Sequence, residues 1–246
     1  MRVVVAGATG LIGSRTVARL RDHGVEVVPI SRSAGVDVVT GEGLSKALRG
    51  AEVVVDVTDA PSRAERTSAE FFGATTANLL QAATAAGAEH YVALSIVGAN
   101  RVPAGYFRAK AHQEEQARRS PMPHSLVRAT PFFESVEAMS RSDAHADGVH
   151  VAPVLLRPVS ADDVAASVAH VAVGVPLFGA LEVAGPEEYR LDVLTAKLLA
   201  ARGDLRGVIA DPRAPFFGAV LGERALLPGP AAHLGDRTLA RWLERR

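Results

Sequence analysis

Short runs of β-branched residues alternate with stretches rich in Ala and Leu through the first 140 residues of this 246-residue chain. Residues 2–6 read Arg-Val-Val-Val-Ala, and 25–30, 36–39, 51–57, 90–95 and 125–128 repeat the theme. Continuous apolar runs of this length suit strands buried on both faces of a parallel sheet. Between them, 11–20, 43–49, 65–86, 106–119 and 132–139 carry helical periodicity. The alternation predicts an α/β fold with a doubly wound parallel sheet.

After residue 140 the rhythm changes: prolines stand at 153, 158, 176, 186, 212, 215, 228 and 230, with two further helices predicted over 160–173 and 191–201. This half reads as a small C-terminal cap on the substrate side. The expected division is a core over 1–140 and a cap with returning core elements over 141–246, within one compact domain. Ser160 is placed to cap the first of those helices, with Asp163 at its third position. The basic tail, 237–246, reads as a solvated amphipathic last helix around Trp242.

The first strand runs directly into Gly7-Ala8-Thr9-Gly10-Leu11-Ile12-Gly13. Gly7 permits a tight turn, Gly10 lets the backbone approach a pyrophosphate, and Gly13 lets the new helix pack close on the strand. The N–H groups at the start of that helix then face the phosphates. The junction reads as a dinucleotide cradle, and 1–140 as a dinucleotide-binding core.

Composition narrows the partners. The chain has no cysteine, which excludes disulfides, thiolate catalysis and cysteine-ligated metals and suits a reducing cytoplasm. Its 27 basic and 27 acidic residues cancel, so neither nucleic acid nor an anionic membrane is expected. The apolar start is too short for a secretory segment, and 164–178, broken by His170, Gly174 and Pro176, is too short to span a bilayer.

In such a sheet the residues ending the second strand lie beside the adenosine ribose, where a carboxylate favours NAD and an arginine a 2′-phosphate. Here they are Ser31, Arg32 and Ser33, which points to NADP, with Arg15 as a possible second cation. Val57, Thr58 and Asp59 end a later strand at the ligand edge of the sheet and should line the cofactor.

Tyr106 and Lys110 stand four residues apart, hence on one helix face. A neighbouring ammonium favours phenolate, so the phenol can exchange a proton near neutral pH, while the lysine can also hold the nicotinamide ribose. Ser95 ends the preceding strand, placed to orient a carbonyl beside Tyr106.

The glycine loop, the stretch Asn78-Leu79-Leu80-Gln81-Ala82-Ala83 followed by Gly87-Ala88, and Leu94-Ser95 with Tyr106 and Lys110 resemble the short-chain dehydrogenase/reductase superfamily, in its atypical, NmrA-like NAD(P)H-binding branch. The resemblance covers roughly residues 1–190 and includes Leu126-Val127-Arg128-Ala129-Thr130, similar to the segment that passes the nicotinamide in that branch. It implies a Rossmann sheet, bound NADP with Ala129 and Thr130 beside it, and hydride transfer as the default activity. Some members of the branch lack the tyrosine and bind the dinucleotide as sensors. The part after residue 140 is smaller than the sugar-binding lobe of the superfamily's epimerases and dehydratases, which disfavours a nucleotide-sugar substrate.

Phe132 and Phe133 are the leading candidates to wall a substrate pocket, with Met139, Phe178, Phe216 and Phe217 behind them. A small apolar carbonyl, enone, imine or quinone fits such a wall. Of the eight histidines only His145 and His150, with Asp147, cluster, and their spacing matches no metal site. Glu114 and Glu115 read as surface partners of Arg118 and Arg119. The leading expectation is an NADPH-dependent oxidoreductase with Tyr106 as proton donor, Lys110 as its helper and Ser95 orienting the carbonyl. The alternatives are a non-catalytic NADP-binding regulator and an isomerase or cyclase that keeps the dinucleotide site. A monomer and a homodimer both stay open, the helices over 65–86 and 106–119 offering the faces for a dimer contact.

Overall fold

The computed structural model describes residues 1–142, 144, 145 and 147–245, with the side chains of 141–146 outside the description. Its first strand, β1 (Arg2–Ala6), is followed by α1 (Leu11–Asp22), β2 (Glu26–Ile30), α2 (Leu44–Ala47), β3 (Val53–Asp56), α3 (Glu65–Ala86), β4 (His90–Ile96), α4 (Gly105–Arg119), β5 (His124–Ala129) and α5 (Phe133–Ser142). Beyond these come β6 (Ala144–His145), β7 (Gly148–Val151), β8 (Leu155–Leu156), α6 (Ala161–Val173), β9 (Gly179–Ala184), β10 (Tyr189–Arg190), α7 (Leu191–Ala200), β11 (Val208–Ala210), β12 (His233–Leu234) and α8 (Leu239–Leu243).

Seven strands form one parallel sheet in the order β12-β9-β5-β4-β3-β1-β2. Val3, Val4, Val5 and Val53–Val55 are buried whichever face they point to, because helices cover both sides. On one face α1 packs beside α6; on the other α3 packs beside α4. Strand order reverses beside β1, from which the chain first steps outward to β2 and then back across to β3. The carboxyl ends of β1 and β3 therefore flank a crevice, the place where open α/β sheets bind ligands.

The predicted strand over 36–39 is a turn instead. Asp37 Oδ1 accepts from the N–H groups of Val39 and Thr40, and the Asn78 side chain donates to the carbonyls of Val38 and Val39. Those bonds take the backbone groups that a ladder would need. Predicted and observed helix bounds agree closely elsewhere, and Ser160 Oγ accepts from the Asp163 N–H as expected of a cap.

The chain after residue 140 re-enters the core. β9 pairs with β5 in the main sheet, β12 pairs with β9, and α6 lies on the sheet face. The rest adds small sheets, β10-β8 and β11-β7-β6, both packed against α7. The last helix is anchored rather than solvated: Trp242 is buried, stacks on Phe133 with centroids 5.3 Å apart, and donates its indole N–H to Glu134 at 3.0 Å.

Candidate active site

The turn after β1 is shaped by contacts that leave no room for a side chain. Gly7 has φ +81°, and a Cβ there would lie 2.8 Å from the Val57 carbonyl oxygen. A Cβ on Gly13 would lie 2.0 Å from the Gly7 carbonyl oxygen, so the first turn of α1 rests directly on the loop. Gly10 caps α1 with extended backbone, no side chain caps the helix, and its first turn holds no acidic residue. The positive end of α1 is thus left open to an anion.

This loop forms one end of a cavity of about 680 Å³. Gly7, Thr9, Gly10, Leu11 and Ile12 line that end; Ser31 and Arg32 line it where β2 stops. Val57, Thr58 and Asp59 follow β3 along its length, and Ala129 ends β5 with Thr130 and Phe132 just after it. Ser95, Tyr106 and Lys110 line it as well, so the structure brings the glycine loop and the expected proton-transfer groups into one space.

Three expected site residues stand outside this lining. Gly13 is buried beneath Gly7, Ser33 reaches only the Ser31 hydroxyl at 2.8 Å, and Phe133 is packed under Trp242. Phe71 and Phe217 take the place expected of Phe133 in the wall. Met139 and Phe216 pack in the core, and Phe178 is exposed beside His124. Arg15 is no second cation for a phosphate: its Nε donates to Asp162 at 2.9 Å and its Nη1 to the Leu11 carbonyl, tying α1 to α6. Arg32 is exposed and forms no ion pair among the described residues. The His145 side chain and Ala146 lie outside the described residues; His150 bonds Asp147 at 3.0 Å, and no metal-binding group occurs among those described.

Tyr106 is set by the start of α4. Gly105, with φ +58°, fits against the Phe217 carbonyl, its N–H donates to Glu65 at 2.7 Å, and the Tyr106 N–H donates to Phe217 O at 3.0 Å. The phenol is buried, its ring edge against Phe72 and Phe217, and its hydroxyl donates to Asp59 Oδ1 at 2.8 Å. Arg63 forks onto the same carboxylate at 2.5 and 2.7 Å and places its guanidinium 4.3 Å from the Tyr106 ring centre. Burial and the Asp59 charge push the Tyr106 phenol well above its ordinary value of 10. The shift is opposite to the acidification expected from Lys110, because burial and then the neighbouring carboxylate outweigh the cations beside the phenol.

Lys110 is buried, donating to the Leu94 carbonyl at 2.7 Å and to Gln113 Oε1, and lies 4.1 Å from the Phe72 ring centre. Gln113 in turn donates to Asp56 Oδ2 at 2.9 Å, which also receives the Tyr91 hydroxyl at 2.8 Å. Burial lowers Lys110 to about 8, against the opposing pull of Asp56, Asp59 and Glu114.

Ser95 departs from expectation. Its hydroxyl donates to Glu114 Oε1 at 2.7 Å, and Arg128 forks onto the same carboxylate. A serine hydroxyl has one proton to give, so Ser95 has none left for a carbonyl while this bond holds. Glu114, read from sequence as a surface partner of Arg118, does pair with Arg118 at 2.8 Å but is itself buried. Burial pushes its carboxyl up, yet the hydrogen bonds from Arg128 and Ser95 outweigh this and hold it below 4.5. Glu115 and Arg119 form the exposed pair expected of them, at 2.7 Å.

Asp59 as the phenol's partner, Arg63, and the Glu114–Arg128 pair were not assigned these roles from sequence. A signal existed: Tyr106, Lys110 and Glu114 repeat at four-residue spacing on one face of α4, and Asp59 and Arg63 share that spacing.

Residues 7–174 match a family model described as NAD(P)H-binding, which spans more than half of the chain. The chain belongs to this NAD(P)H-binding family. Solved structures carry the likeness in fold further. The UDP-glucose 4-epimerase of Thermus thermophilus, in complex with NAD, superposes with a TM-score of 0.74 at 21% identity, over 93% of this chain and 90% of the other. The NADPH-dependent quinone oxidoreductase QOR2 of Escherichia coli, complexed with NADPH, gives 0.63 at 20% identity, over 86% and 78%. DesIV of Streptomyces venezuelae, a dTDP-glucose 4,6-dehydratase with NAD and TYD bound, gives 0.76 at 20% identity, over 100% and 95%. No curated protein matches the sequence significantly. The fold is Rossmann-like, as the motifs implied, and these solved structures share it.

The cradle of this NAD(P)H-binding chain fits a dinucleotide on its own geometry: glycines whose Cβ atoms would collide with the loop, an uncapped helix end, and Arg32 exposed in the cavity lining just past the end of β2. No helix among the described residues is long and apolar enough to cross a membrane.

Proposed function

We propose that this protein is an NADPH-dependent reductase of small apolar carbonyl compounds, enones, imines or quinones. The observation that carries the reading is that Tyr106 and Lys110 share one cavity with the glycine cradle. When bound, NADPH supplies the hydride. Gly7, Gly10 and the start of α1 hold its pyrophosphate, and Arg32 with Ser31 takes its 2′-phosphate. Lys110 holds the nicotinamide ribose. Phe71, Phe132 and Phe217 exclude water around the acceptor, whose modest size follows from the cavity shared with the cofactor. Tyr106 gives the proton to the acceptor's oxygen or nitrogen.

A second reading draws on a specific observation. The protons of Tyr106 and Ser95 are both already donated, to Asp59 and to Glu114, an arrangement that suits a regulator which binds NADP without turning it over. One experiment decides: NADPH oxidation by the purified protein against a panel of quinones, enones, aldehydes and imines, beside the Tyr106→Phe variant. Turnover lost in the variant with NADPH affinity kept supports the reductase; NADPH binding with no turnover on any acceptor supports the regulator.

A further inference from the structure

After Tyr106 gives up its proton it must be recharged, and among the side chains around it the shortest path to solvent runs through its own hydrogen-bond partner. Lys110 opens no path through the protein: 3% exposed, it bonds to the Leu94 carbonyl and to Gln113, and Gln113 bonds on to Asp56, which is fully buried beneath Tyr91 and Thr58. Asp59 is the opposite case. Its Oδ1 receives the Tyr106 hydroxyl at 2.8 Å while half of its side chain meets solvent.

We propose that Asp59 is a catalytic residue that carries a proton from solvent to Tyr106, an inference that rests on the reductase reading above. The step balances. Hydride from NADPH joins the carbonyl carbon and the Tyr106 proton joins its oxygen, giving alcohol, NADP⁺ and a Tyr106 phenolate. A solvent proton then joins the Asp59 carboxylate and passes to the phenolate, restoring both groups, so each turnover consumes one proton. Arg63 serves this step twice over. Its fork holds the carboxylate against the phenol, and its charge, 4.3 Å from the ring centre, offsets the two anions that would otherwise meet there. The other charges around the pair are Lys110 on α4, Asp56 at the end of β3, and Glu65 and Glu70 on α3, with Glu65 held by Arg108 and Glu70 by Arg66.

The test uses Asp59→Ala and Asp59→Asn in the full chain, with an acceptor that the unaltered protein reduces. At saturating NADPH both variants are expected to lose at least about tenfold in kcat, with KM for the acceptor within about twofold. Formate should restore the kcat of Asp59→Ala saturably, because the vacated position opens to solvent, and should leave the unaltered protein unchanged. A readout independent of turnover is ultraviolet titration of the phenols, with Tyr106→Phe marking the Tyr106 signal: in Asp59→Asn that signal should move to lower pH. A kcat within twofold of the unaltered protein, a loss that formate does not restore, or an unmoved Tyr106 titration overturns the relay while leaving the reductase standing. Failure of the unaltered protein to reduce any acceptor overturns the reductase reading and the relay with it.

Discussion

Arg128 and Glu114 meet between β5 and α4 through two parallel hydrogen bonds, 2.8 Å from Nε to Oε1 and 2.6 Å from Nη2 to Oε2. Both side chains are nearly sealed from water, 10% and 1% exposed. Removing one partner of such a pair leaves an uncompensated buried charge. Glu114→Ala or Arg128→Ala should therefore cost about 3–5 kcal/mol of stability, and the double variant less than the sum. Chemical denaturation of the three variants measures this, and strictly additive losses would show that the two side chains do not act as a unit. The pair also sets an acid limit. Glu114 is held below its ordinary 4.5 in the fold, so its contribution is full above the unfolded value and is lost as pH falls through the folded one. Glu114→Gln should flatten the stability profile on the acid side of pH 4.5.

Lys110 produces a trend of the same sign at the alkaline end. Its folded value is about 8 against 10.5 in an exposed chain, so between these limits the unfolded state binds more protons. Stability should rise with pH across that window and fall as pH drops through 8. Urea denaturation between pH 7.5 and 10.5 should show the slope from this group in the unaltered protein and lose it in Lys110→Met. An unchanged slope in the variant would mean that the ammonium is better solvated than its burial implies.

Tyr106→Phe should lower kcat by a factor of about 10²–10⁴ while NADPH affinity stays within about twofold, since the phenol donates a proton and holds no phosphate. Stopped reduction assays and a fluorescence titration of NADPH separate the two quantities. Equal turnover in both proteins would remove Tyr106 as the acid.

For cofactor choice, Arg32→Ala should weaken NADPH by about tenfold or more and leave NADH nearly unchanged, because charge-assisted bonds to a 2′-phosphate are lost. Parallel titrations with the two dinucleotides check it. Equal losses would place the 2′-phosphate elsewhere.

Gly13→Ala tests the cradle itself. The added methyl would sit 2.0 Å from the Gly7 carbonyl, so loop or helix must move and NADPH binding should be lost. Retained affinity in the variant would show that the loop yields.

Much of this arrangement could be read from the chain because it rests on local patterns. Apolar runs marked β1 to β5, helical periodicity marked α3 to its observed bounds, and the glycine spacing marked the cradle. What sequence missed is of another kind. The turn at 36–39 hides behind a β-like run because Asp37 and Asn78, far apart in the chain, capture its backbone. β9 escaped notice because 179–184 carries Glu182 among its apolar residues and follows a proline-rich stretch, and only its place beside β5 buries it. The partners of Tyr106 and Ser95 come from helix faces and loops that meet only after folding, and an exposed-looking glutamate is inside because an arginine from a strand awaits it.

The stacking of Trp242 on Phe133 has a use of its own. The chain holds a single tryptophan, and it is packed one residue away from Phe132 in the cavity wall. The protein thus carries a built-in fluorophore behind its pocket, whose emission overlaps the absorption of a reduced nicotinamide. Occupancy of the cavity can be followed by energy transfer with no label attached.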